Sequence, residues 1–149
     1  MMSAQQNKQL ARTIYDLFSN NKVDQALEHA AEDVEVVFTP TGQTFRGRDE
    51  FSQFMKGFKT AFPDIVLEVT SQVATEDQVV SEFVAKGHHT GPLLTPVGDI
   101  PATGRYAEWQ VCEVWRVRDG KLAQICNYQD AATLMRQLGL LPEPDAAEA

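Results

Sequence analysis

From Ser3 to Asn20 the apolar residues Leu10, Ile14, Leu17 and Phe18 recur at i, i+4, i+7 and i+8, the spacing that puts side chains on one face of a helix. The polar run SNNKVD ends that pattern, and a shorter helix is predicted from Val23 to Ala30. The alternating, β-branched stretch DVEVVF predicts a strand with Val34, Val36 and Phe38 on one face, after which TPTGQTFRG turns the chain. Between Gly47 and Phe62, the residues Phe51, Phe54, Met55, Phe58 and Phe62 make one apolar stripe. Pro63 stops it, so a second long helix is predicted there.

Beyond Pro63 the hydrophobic period changes to two. Ile65 to Ala74, Val79 to His89, Tyr106 to Val117 and Leu122 to Asp130 read as four strands, with hairpin turns at TED and RDGK. Asp119-Gly120 suits a two-residue turn of the primed type. A last helix, Ala131 to Leu138, stops at Gly139. Helices first, then a meandering antiparallel sheet, predict an α+β fold rather than alternating parallel units. The stretch Thr90 to Gly104 is long for a hairpin loop and fits a lid, a partner-binding arm or an additional strand pair.

The turn also predicts a register. If Asp119 and Gly120 are the whole loop, Val117 faces Leu122, Trp115 faces Gln124, Glu113 faces Cys126, Val111 faces Tyr128 and Trp109 faces Asp130. Trp109, Val111, Trp115, Val117 and Leu122 make this the buried side. Its polar exceptions, Glu113, Gln124, Tyr128 and Asp130, must be paired, hydrogen-bonded or shifted toward their neutral forms. On the strand from Val79, His89 shares the inward parity of Val79, Ser81, Phe83, Ala85 and Gly87, while His88 leaves by the opposite face. Pairing His89 with Ala107 and Gly87 with Trp109 gathers His89, Trp109 and Asp130 at one end of the sheet. Glu113 lies deeper, roughly 13 Å from Asp130 at ~3.3 Å per residue. Each of these residues also has a structural reading. Asp130 before AATLMRQLG suits a helix N-cap, His89 a core or rim position, and Glu113 a buried carboxylate bonded to Tyr128 or a backbone amide.

Composition narrows the function classes. The chain of 149 residues is long enough for one domain with its own core. Its 13 basic and 21 acidic residues give a formal charge of −8, which repels nucleic acid and anionic lipid surfaces. No apolar run approaches the ~20 residues of a membrane helix, and MMSAQQNKQLART lacks the apolar core of a secretory signal, so the expected location is the cytoplasm. Cys112 and Cys126 have no CxxC spacing and suit a reducing compartment. The three histidines lack metal-ligand spacing, and no phosphate loop, GxSxG elbow or Cys-His nucleophile signature is present.

AFPDIVLEV, then GHHTGPL and PATGR, then VWRVRDGKL, then NYQDAATLMRQLGLLP resemble, in order and spacing, the SnoaL-like polyketide cyclases of the nuclear transport factor 2-like superfamily. The resemblance spans about residues 8 to 142. It implies a single domain over 3–142, followed by a disordered tail at 143–149. The implied fold is a cone-shaped α+β fold, with N-terminal helices packed in a strongly curved, mostly antiparallel sheet and a short C-terminal helix around one apolar cavity. It implies an aldol closure of a polyketide ester, or a related isomerisation or hydration, without metal or organic cofactor. In that picture Asp130 is the general acid/base and His89 matches the histidine of the family's GTHTG segment. Glu113, Trp109, Trp115, Tyr128, Gln124, Phe58 and Met55 would contact a small apolar carbonyl-bearing ligand. Gln124 and Cys126 depart from the family's GKIxExW pattern, which reshapes the expected pocket. The rival reading is a non-catalytic ligand-binding or dimerisation module. The outer sheet face, with Tyr106, Cys112 and Val114, is expected to join two copies sheet to sheet.

Overall fold

The computed structural model describes residues 2–142; the tail expected at 143–149 lies outside the described residues. Helix α1, Ala4–Ser19, starts at a capping box in which the Ser3 hydroxyl accepts from the Gln6 backbone N–H and the Gln6 side chain accepts from the Ser3 backbone. Helix α2 is short, Val23–Leu27. Helix α3, Gly47–Ala61, ends one residue before Phe62 and buries Phe51 and Met55 as its stripe predicts. Strands β1 (Ala30–Phe38), β2 (Gln43–Arg46), β3 (Val66–Ala74), β4 (Gln78–His88), β7 (Tyr106–Arg118) and β8 (Lys121–Gln129) form one sheet in the order β2-β1-β8-β7-β4-β3. Helix α4 covers Ala131–Gln137.

The α+β class is as expected, and the sheet is large, curved and mixed. Two details differ from the sequence-based picture, and a third settles an open choice. The stretch taken as a plain turn contains β2, an edge strand paired antiparallel to β1. β1 lies parallel to β8, so the sheet is not a simple meander. Of the three forms expected for the 90–104 segment, the structure has the additional strand pair, a separate two-stranded ribbon of β5 (Leu93–Thr95) with β6 (Gly98–Ile100).

Two register corrections matter for the site. The turn itself is as expected: Asp119 and Gly120 both have positive φ, 54° and 73°, as a type I′ hairpin requires. Val117 pairs with Leu122, but Arg116 then pairs with Gln124, so Ala123 is the extra residue of a β-bulge. From there on, Trp115 faces Ile125, Glu113 faces Asn127 and Val111 faces Gln129. The period-two rule therefore acts on β8 with its parity reversed: Ile125 and Asn127 are buried, and Gln124 and Tyr128 leave by the outer face. On the other side of β7, the pairing is Gly87 with Ala107 and Ala85 with Trp109. The inward parity of β4 holds, and the pairing is shifted by two residues from the expected one.

The core is filled from both sides of this geometry. Ile14, Tyr15 and Phe18 of α1 and Phe51 and Met55 of α3 pack against the inward residues of β4, β7 and β8. Tyr15 lies tilted against Phe83 and Trp115, with ring centroids 4.8 and 5.2 Å away.

Candidate functional site

The concave face of the sheet and helices α1 and α3 enclose a small chamber of about 60 Å³, walled by apolar and aromatic side chains. That is room for a few waters, or for the terminal atoms of a ligand. An outer cleft of about 490 Å³ adjoins it, bounded by Phe38, Phe45, α3, α4 and the β5-β6 ribbon. Phe54, Phe58 and Gln129 line both spaces and so form the neck between them.

Glu113 is the ionisable carboxyl of the chamber, 5% exposed. Its Oε1 accepts from the Tyr15 hydroxyl at 2.8 Å and from the Trp115 indole N–H at 3.0 Å; its Oε2 accepts from Asn127 Nδ2 at 2.7 Å. Burial pushes the carboxyl's pKa up, and the bonds from Asn127, Trp115 and Tyr15 pull against that shift without cancelling it. Tyr15 is itself raised well above the ordinary phenol range, chiefly by burial and then by the charge of Glu113. It therefore stays a donor. Asn127 is 2% exposed; its amide nitrogen is committed to Glu113, and its Oδ1 has no hydrogen-bond partner. At the neck, Gln129 accepts from the Trp109 indole N–H at 3.0 Å through Oε1, which turns its amide N–H₂ away from Trp109.

Of the residues singled out from sequence, Glu113, Trp109, Trp115, Met55 and Phe58 line the chamber. Gln124 and Tyr128 do not. The bulge turns Gln124 outward, where it donates to Glu35 Oε1 at 3.2 Å, and Tyr128 is 49% exposed. Asp130 does not share a hollow with Trp109 and His89 either. It is exposed at the start of α4, where its Oδ1 accepts from the Thr133 N–H at 3.1 Å and its Oδ2 from the Thr133 hydroxyl at 2.6 Å. These bonds hold its pKa below the usual carboxylate value. The N-cap reading describes what this side chain does here.

His89 is buried but outside both spaces. Phe62 stacks against it at 5.2 Å and against Trp109 at 5.0 Å, which separates the imidazole from the chamber wall. Its Nδ1 lies 3.0 Å from the Thr103 hydroxyl and 3.2 Å from the Thr103 N–H, its Nε2 is buried without a hydrogen-bond partner, and burial lowers its pKa. His88, on the outer parity, is held by Asp64 at 2.6 Å. Sequence reasoning missed Tyr15, Asn127 and Gln129. Tyr15 sits one step beyond Ile14 on the apolar face of α1 and could have been found; the other two are hidden by the bulge.

Among the described residues, no group of three or more His, Cys, Asp and Glu is placed to hold a metal, and no helix is long and apolar enough to cross a membrane. A large, curved mixed sheet closed by helices, with a short C-terminal helix, is an α+β domain of the nuclear transport factor 2-like fold. Residues 8–138 match the model of the SnoaL-like polyketide cyclases, and the chain belongs to that family. Among solved structures, AclR of Streptomyces galilaeus, a candidate hydroxylase, superposes with a TM-score of 0.83 at 23% identity, covering 98% of this chain and 93% of its own. IdmH of Streptomyces antibioticus, a candidate polyketide cyclase, gives 0.74 at 26% identity over 89% and 97%. A Catenulispora acidiphila protein with a ketosteroid isomerase-like fold, in complex with trimethylamine, gives 0.73 at 17% over 89% and 93%. No curated protein sequence matches the chain.

Proposed function

We propose that the protein is an enzyme of the cyclase, isomerase or hydratase type that acts without metal or organic cofactor on a small, mostly apolar, carbonyl-bearing ligand, with Glu113 as its general acid/base. The observation that carries this reading is a carboxyl of raised pKa inside an apolar chamber, its Oε1 holding two donors and its Oε2 only one. Oε2 keeps a lone pair for a proton. A carbon acid beside a carbonyl would give that proton to Oε2, leaving an enolate. The protonated Glu113 would return it to carbon in an isomerisation, or to the new alkoxide after an aldol closure. Family membership supports this reaction class, and the volumes favour a ligand whose reacting end enters the chamber while its body occupies the outer cleft. The reading moves the acid/base role from Asp130 to Glu113.

The rival reading, a non-catalytic binding module, draws on the same three donors, because a buried carboxylate with a donor on each oxygen is also what a purely structural role needs. Deuterium exchange at the α-carbon of ethyl α-methylacetoacetate, followed by proton NMR in D₂O, separates the two. The wild type should exceed buffer, and Glu113→Gln should remove about a hundredfold or more of the acceleration. Exchange at the buffer rate in the wild type assigns the module; exchange above buffer that is undiminished in Glu113→Gln keeps an enzyme and removes Glu113 as its base.

Homodimerisation through the sheet belongs to the same proposal. Val73, Val80, Val114, Cys126 and Val37 are paired neighbours in one row across β3, β4, β7, β8 and β1. The row lies on the outer face, and Val73 is 63% exposed. A straight apolar row of this kind matches itself across a two-fold axis.

A further inference from the structure

Gln129 carries a donor that the protein leaves unused. The Trp109 indole N–H can only donate, so the atom of the Gln129 amide that meets it at 3.0 Å is the oxygen, and turning the amide over would set donor against donor. The amide nitrogen is thereby fixed on the other side. Among the described residues Nε2 has no hydrogen-bond partner, and it is not one of the buried polar atoms that lack one, so it keeps accessible surface. Gln129 is half-buried and borders the chamber and the outer cleft at once. The other side-chain donor groups of the chamber wall already have acceptors: the Tyr15 hydroxyl, the Trp115 indole and the Asn127 amide on Glu113, and the Trp109 indole on Gln129.

The register fixes where this donor stands relative to the buried carboxyl. Glu113 pairs with Asn127 and Val111 with Gln129, so Gln129 is one inward position beyond the partner of Glu113, ~6.6 Å along β8 at ~3.3 Å per residue. An amide N–H at the neck and a carboxyl oxygen deeper in match the two ends of one enolisable unit, a carbonyl oxygen and the hydrogen on the adjacent carbon. We propose that Gln129 Nε2 takes the ligand's carbonyl oxygen at the neck and stabilises the negative charge that develops on it. When Glu113 Oε2 accepts the proton, the C–H electron pair becomes the new C=C bond and the carbonyl π pair moves onto oxygen, where the Gln129 N–H meets it. Return of the proton reverses the flow. This rests on the function proposed above and adds an orientation to it: the acidic C–H points inward, the carbonyl lies at the neck, and the body of the ligand fills the cleft. A donor already in place gains strength as the oxygen becomes an anion, so its loss shows in the rate at saturation more than in KM.

Two variants and two readouts test this. Gln129→Met removes both N–H groups without adding charge, and Gln129→Glu keeps an oxygen for the Trp109 indole while losing the amide nitrogen. Deuterium exchange of ethyl α-methylacetoacetate at saturation should fall about a hundredfold in both, with KM moved far less. The same ester, labelled with carbon-13 at both carbonyls, should show one carbonyl signal displaced downfield on the wild type and on neither variant. A downfield shift that is absent from the wild type, or that survives in both variants, overturns the inference; so does undiminished exchange in both variants of an exchanging wild type. The two proposals fail separately. A wild type that shifts the carbonyl through Gln129 but does not exchange deuterium removes the base and leaves Gln129 as the carbonyl's partner; exchange that depends on Glu113 and not on Gln129 does the reverse.

Discussion

Replacing Tyr15 by phenylalanine removes one bond to the buried carboxyl, together with the phenol's contact with the Ser81 hydroxyl, which does not titrate in this range. The change deletes a single oxygen and leaves the ring packed against Phe83 and Trp115. Glu113 Oε1 loses the 2.8 Å bond from the phenol but still accepts from Trp115 at 3.0 Å, so it is not orphaned. A hydrogen bond to a charged group contributes ~1.5–3 kcal/mol and one to a neutral group ~0.5–1.5 kcal/mol. The variant should therefore lose ~2 kcal/mol where Glu113 is ionised and ~1 kcal/mol where it is protonated. Glu113 already has its pKa raised by burial. Removing a donor that favours the charged form raises the folded value further. A carboxyl raised in the folded state contributes stability that is complete below the unfolded pKa, about 4.3, and is lost as pH climbs through the folded value. The gap between wild type and Tyr15→Phe must then widen with rising pH across that window and become constant above it. Urea unfolding at a series of pH values, read by tryptophan fluorescence and compared at equal m, measures the gap. A gap that is flat with pH, or that narrows as pH rises, refutes the assignment of this bond to a titrating Glu113.

Asp130→Asn keeps an N-cap side chain, so thermal unfolding should show a loss below about 1 kcal/mol, and deuterium exchange should be unchanged. A collapse of exchange in this variant would return the base to Asp130. Val114→Glu places a charge at the centre of the outer apolar row; light scattering should show a dimer for the wild type and a monomer for the variant. A wild type that stays monomeric at high concentration sinks the sheet-to-sheet assembly.

Much of the fold was legible in the pattern because each long element has one dominant period. The Phe and Met stripe of α3, the inward set from Val79 to His89 and the positive-φ pair at Asp119-Gly120 all stand where the spacing put them. What failed was parity after an irregularity. Ala123 looks like any other strand residue, and nothing in KLAQICNYQ announces that two residues oppose one there. With that slip, Tyr128 and Gln124 were drawn into the interior, and Asn127 and Gln129 were lost from it. Asp130 failed for a different reason: a residue that follows a strand and opens a helix has its side chain captured by the helix N-terminus, and alternation no longer says where it points. His89 was placed on the correct face, and only the coordinates show Phe62 standing between it and the chamber.

The kink at Ala123 bears on how such pockets diversify. Gain of one codon just after the kink, taken up in register, would exchange an amide-lined wall for one presenting a thiol and a phenol with no point replacement anywhere along the last strand, whereas loss of Ala123 would only straighten the strand. Relatives that differ by such an indel would differ in chemistry while looking nearly identical letter by letter. An alignment that slid across the kink would match residues from opposite sides of the sheet.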